Sequence, residues 1–150
     1  MGSKTGGVLS LLSGLLSGIL CLVWIFSLNG FVKLKIEPDA FLDRYTSLLN
    51  VVLITGIFLG LAMAAIGVIN IAVKGTAKVV FGIIAIPIDG TFAIMTLISW
   101  SRVTIIYLES DIFLYMIFLD ISLVSLIGAF TLGMVGGILS IIAGKGEQRI

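Results

Sequence analysis

Asp89 carries the chemistry that most needs explaining, because it stands near the middle of an apolar stretch, Val79 to Trp100, that lies between Lys78 and Arg102. That interval is close to the roughly 20 apolar residues a bilayer-crossing helix requires. An aspartate at the centre of such a helix is costly, about 2.5 to 3.5 kcal/mol on insertion scales, and such residues face a bundle interior or a cavity. The sequence around it also interrupts a helix. Pro87 cannot donate to the carbonyl of Ile83, and Pro87-Ile88-Asp89-Gly90 is a turn sequence in other settings.

Hydrocarbon cannot satisfy the Ile83 carbonyl, so something polar must sit near it. Two arrangements meet that need. In one, Asp89 is the N-cap of a second half-helix, accepting from the amides of Thr91 or Phe92 in a helix that is merely kinked. In the other, the Ile83 carbonyl, the half-helix ends at Pro87 and Gly90, and the Asp89 carboxyl form a midplane site for H⁺ or Na⁺. At 1.5 Å per residue, Lys78 lies about 16 Å from Asp89 in depth and Arg102 about 20 Å on the other side, so neither base reaches it. Desolvation disfavours the charged form. The sequence therefore predicts a neutral acid at Asp89 that donates to the Ile83 carbonyl. Asp120 falls roughly 20 Å away in depth, at the outer interface, and forms no pair with Asp89.

Other chemistry has little to build on. The chain has no histidine and one cysteine, Cys21, which removes the commonest general base, the Cys/His metal sites of ordinary spacing and any intramolecular disulfide. There is no Ser/His/Asp set, no C-x-x-C, no H-E-x-x-H and no phosphate-cradling glycine loop. The expectation is a protein without catalysis, cofactor or metal.

The elements that must position Asp89 follow from composition. Of 150 residues, 59% are hydrophobic and 11% charged, against about 25% charged in a soluble domain. With a net charge of +1, nothing suggests a nucleic-acid partner; the environment implied is the lipid bilayer. The charge-poor intervals give crossings at about residues 7–28, 48–73, 79–100 and 114–143 of a single transmembrane domain, residues 1–150. The first is too long for the 7 to 15 apolar residues of a secretory signal core and is read as a retained crossing. The fold class predicted is an all-α integral membrane protein, an antiparallel four-helix transmembrane bundle. A small β element is added by the outer loops, pairing Phe31 to Ile36 with Val103 to Leu108; helical extension of the second segment is the other reading.

Charge sets the orientation. Lys4, the Lys74 to Lys78 turn, Lys145 and Arg149 share one end, tight against the helices, and the positive-inside bias places both termini in the cytoplasm of a multi-pass cell-membrane protein. Small residues recur at steps of three and four, including G-x-x-x-G at Gly14/Gly18, Gly56/Gly60 and Gly133/Gly137, a pattern that lets helix backbones approach closely. Asp89 belongs to such a face with Gly82, Ala85, Ala93, Thr96 and Trp100. These features predict a structural or accessory subunit that associates with itself or with another membrane protein. The alternative is an H⁺- or Na⁺-linked channel or transporter using Asp89.

Overall fold

A computed structural model of the chain describes the backbone of residues 4–34, 40–108 and 113–148, and the side chains of residues 4–26, 50–98 and 124–148. The described residues form four helices: α1 (Thr5–Leu34), α2 (Ala40–Ala72), α3 (Thr76–Leu108) and α4 (Phe113–Gln148). Each contains a segment long and apolar enough to cross a membrane: Thr5–Phe26, Asn50–Ala72, Thr76–Ile98 and Val124–Gln148.

The helices outrun their apolar segments, and this displaces the expected β element. Among the described residues there is no strand. Phe31 to Leu34 ends α1 and Val103 to Leu108 ends α3, while Lys35 and Ile36 lie outside the described residues. The β-branched run reads as a strand in isolation. Its preference over helix is only a few tenths of a kcal/mol per residue, however, and a helix already under way satisfies each backbone group without a partner strand.

The helices pack antiparallel in the cyclic order α1, α2, α3, α4, with the α2/α3 seam the sparsest. Between α2 and α3 the chain reverses within a few residues because Gly75 adopts φ +59°, a left-handed conformation open to glycine. The seams are set by small residues. At α1/α2, a methyl added to Gly7 would meet the Gly67 carbonyl at 2.8 Å, and one added to Gly60 would meet the Gly14 carbonyl at 2.8 Å. At α3/α4, the backbones of Gly82 and Gly137 approach each other in the same way, with a methyl on either 2.7 to 2.9 Å from the other's carbonyl.

Burial sorts the side chains in the reverse of a soluble protein. Large apolar residues such as Phe26, Phe58, Leu61 and Ile142 point outward, whereas Ser10, Ser13, Ser17, Asn70, Lys78, Asp89 and Ser140 are buried. Exposed hydroxyls fold back onto their own helices, Thr55 Oγ1 donating to the Val51 carbonyl at 2.8 Å and Thr131 Oγ1 to that of Ile127 at 2.9 Å, which leaves the outer face without free donors there.

Candidate functional site around Asp89

Helix α3 runs through Pro87 without interruption. The half-helix ends expected at Pro87 and Gly90 are therefore not formed, the missing proline donor being accommodated inside a continuous helix. Of the four residues predicted at this point, only Asp89 turns inward, 2% exposed. Pro87 and Ile83 face outward, and Gly90 is half-buried with open space above it. The side chains of Asp89 and Ile83 therefore point away from each other, and Asp89 Oδ2 has no hydrogen-bond partner among the described residues, so the expected bond to the Ile83 carbonyl is not made. The inward face of α3 carries Lys78, Gly82, Ala85, Asp89, Phe92 and Thr96; Phe92 takes the fully buried place expected for Ala93.

What Asp89 meets instead is Gly133 of α4 and Ser13 of α1. A methyl on Gly133 would overlap the Asp89 carboxyl and approach the Ser13 hydroxyl to 2.5 Å, so the two side chains converge on the space that the missing Cβ leaves. The same arrangement repeats along the α1/α4 seam. Ser10 Oγ lies over Gly136, 2.7 Å from where its Cβ would be, and Ser140 Oγ over Gly6 at 2.5 Å. Serines and glycines thus alternate across the seam, each hydroxyl filling the space beside a glycine.

The outcome is a row of buried polar groups. Asp89 Oδ2, Ser13 Oγ, Ser10 Oγ and Ser140 Oγ, together with both side-chain atoms of Asn70 on α2, have no hydrogen-bond partner among the described residues. Ser17 differs, donating to the Gly14 carbonyl at 3.2 Å. Buried polar groups without partners are expensive, about 1 to 3 kcal/mol each, so a cluster of them is a place where a small ligand or a proton would be stabilised.

The row has one polar end and one apolar end. Toward the α2–α3 turn it leads to Lys78, whose ammonium, 2% exposed, lies 3.1 Å from Glu147 Oε1. The Glu147 carboxylate also accepts from the Gly75 amide at 2.8 Å, and Gln148 Nε2 donates to Thr76 Oγ1 at 2.7 Å. In the other direction the interior is filled by Cys21, Trp24, Val52, Leu53, Phe92, Leu126 and Phe130. Phe92 and Phe130 meet edge to face with ring centres 4.7 Å apart, a favoured aromatic geometry. Thr96, within that half, returns its hydroxyl to the Phe92 carbonyl at 2.8 Å.

The predicted packing glycines are distributed over several contacts. Gly14 and Gly60 lie at the α1/α2 seam, Gly56 abuts Phe92 and Cys21, Gly133 abuts Asp89, Gly137 meets Gly82, and a methyl on Gly18 would touch nothing within 4 Å. Sequence reasoning missed Ser13, Asn70 and Glu147. Ser13 had a signal, since Ser10, Ser13 and Ser17 recur at three and four; Asn70 and Glu147 had none beyond their polarity. Asp120 and Trp100 lie outside the described side chains. Comparison of the chain with models of protein families, with curated proteins and with solved structures finds no match.

Proposed function

We propose that this chain is a multi-pass membrane protein of the cell membrane, with both termini cytoplasmic, that acts without catalysis as a structural or accessory subunit associating with itself or with another membrane protein. The observation that carries the reading is the division between a closed interior and an apolar exterior. Small residues bring the four backbones together, in keeping with G-x-x-x-G packing, and leave side chains such as Phe26 and Phe58, 71% and 68% exposed, directed outward. Lipid or another helix satisfies such a surface equally by hydrophobicity, and association between helices then rests on packing.

Two measurements test this. Photo-reactive residues placed at Phe26 and Phe58 in native membranes should form adducts with protein; adducts with lipid alone would refute the accessory role. Single cysteines at Thr76, Glu37 and Glu109, in a Cys21→Ser background, should label from outside at Glu37 and Glu109 and stay protected at Thr76. External labelling at Thr76 would reverse the orientation.

A further inference from the structure

We infer that Asp89 is a proton-binding site reached from one end of the bundle only, the end closed by Lys78 and Glu147, through the hydroxyls of Ser140, Ser10 and Ser13. This goes beyond the accessory role, which needs no such site. The inference rests on where the unpartnered groups lie. Asp89 Oδ2 and the three hydroxyls are all buried and lack partners among the described residues, and they are arranged in sequence along the α1/α4 seam. Ser13 shares the space over Gly133 with Asp89, Ser10 is one turn further on over Gly136, and Ser140 lies beside Gly6. A hydroxyl both donates and accepts. These oxygens are not bonded to one another, so a proton passes along the row through water bridging successive oxygens, each oxygen taking one proton as it releases another.

The ligand is a proton and not a metal cation. A hard cation needs a shell of several oxygens, carboxylates prominent among them, whereas among the described residues no three His, Cys, Asp or Glu side chains come together to hold a metal ion. The groups facing the site are accounted for helix by helix among the described residues. From α1 come Ser10, Ser13, Ser17, Cys21 and Trp24, from α2 Asn70 and Met63, from α3 Lys78 and Thr96, and from α4 Ser140 and Glu147. Lys78 is drawn to Glu147 at the mouth, about 16 Å from Asp89 at 1.5 Å per residue. Cys21, the remaining titratable group, is in the apolar half beside Phe92.

The apolar half makes the access one-sided. Beyond Ser17 and Cys21 the interior is filled by Trp24, Phe92, Leu126 and Phe130. Trp24 Nε1 is also buried and without a partner among the described residues, but an indole N–H only donates and so cannot relay a proton, and the Thr96 hydroxyl is engaged by its own helix. A proton that enters must leave the way it came. The bundle then binds a proton without conducting it, and its protonation state reports the pH of a single compartment.

The test uses the full chain in proteoliposomes whose orientation is fixed by labelling at Thr76→Cys, with internal and external pH set independently. Infrared difference spectroscopy should show a carboxyl band that titrates in the wild type and is absent in Asp89→Asn, and that follows the pH of the compartment facing the Thr76 end. A trapped pH dye should report no dissipation of the gradient beyond that of empty vesicles. Ser10→Ala and Ser13→Ala should slow the response of the band by about tenfold or more, as loss of a positioned proton carrier does, while the wild-type band serves as a readout that depends on no variant folding. A band that follows the opposite compartment or both, a dissipating gradient, a wild type with no titrating band, or serine variants that respond at the wild-type rate would each overturn the proposal.

Discussion

Gly14 and Gly18 are the two glycines of one G-x-x-x-G in α1, and the structure predicts opposite outcomes when each is replaced by alanine. At Gly14 the added methyl would fall on the backbone of α2, against the Ala64 amide and the Gly60 carbonyl, with the Ala64 Cα at 2.9 Å. Carbon atoms pack at about 3.5 to 4.0 Å, so α1 and α2 must separate by roughly 1 Å, and a gap of that order forfeits a quarter to a half of each contact along the seam. Overpacking of this kind costs about 1 to 3 kcal/mol, and the better helix propensity of alanine returns about 0.5 to 1. Gly14→Ala is therefore expected to destabilise the bundle by about 0 to 2.5 kcal/mol. At Gly18 nothing lies within 4 Å of the new methyl, only the propensity term remains, and Gly18→Ala should stabilise by about 0.5 to 1 kcal/mol. Equilibrium unfolding in mixed micelles, followed by circular dichroism, resolves a gap of this size. Equal destabilisation by the two substitutions would refute the α1/α2 register described above.

Other perturbations read different parts of the interior. Gly133→Ala drives a methyl into the Asp89 carboxyl and the Ser13 hydroxyl and should lower stability by about 1 to 3 kcal/mol, while Gly133→Ala combined with Asp89→Ala should recover part of it; additive losses in the double variant would show that the two residues do not touch. Asp89→Asn preserves shape and should unfold close to the wild-type midpoint, whereas Asp89→Leu places a bulkier side chain against Gly133 and should unfold earlier; a more stable leucine variant would mean that Asp89 faces lipid. Glu147→Gln leaves the buried Lys78 ammonium without its carboxylate and should lower the thermal midpoint, and adding Lys78→Met should restore it, as buried pairs replaced by apolar groups do. A midpoint that falls further in the double variant would contradict this. Phe92→Ala empties the space between Gly56, Cys21 and Phe130 and should cost about 3 to 5 kcal/mol, measured by the same unfolding assay; a loss under about 1 kcal/mol would mean that the apolar half does not close as packed.

The four helices, their apolar exteriors and the inward direction of Asp89 were legible in the sequence because each is a local matter. Runs of uncharged residues set helix length, and a spacing of three and four places Gly82, Ala85, Asp89 and Thr96 on one face whatever the helix packs against. The seam partners were not legible, since neighbouring residues on a helix differ by only about 100° in direction and the small residues of α1 cover two adjoining faces. Only the tertiary structure separates Gly7 and Gly14, which meet α2, from Gly6, Ser10 and Ser13, which meet α4. The same limit hid Glu147, 69 residues beyond the Lys78 it pairs with. Pro87 misled for a related reason: its missing N–H is fixed by sequence, but whether that loss breaks a helix or is absorbed within it depends on the packing around α3. That packing turns Asp89 toward Gly133 and leaves Pro87 outside.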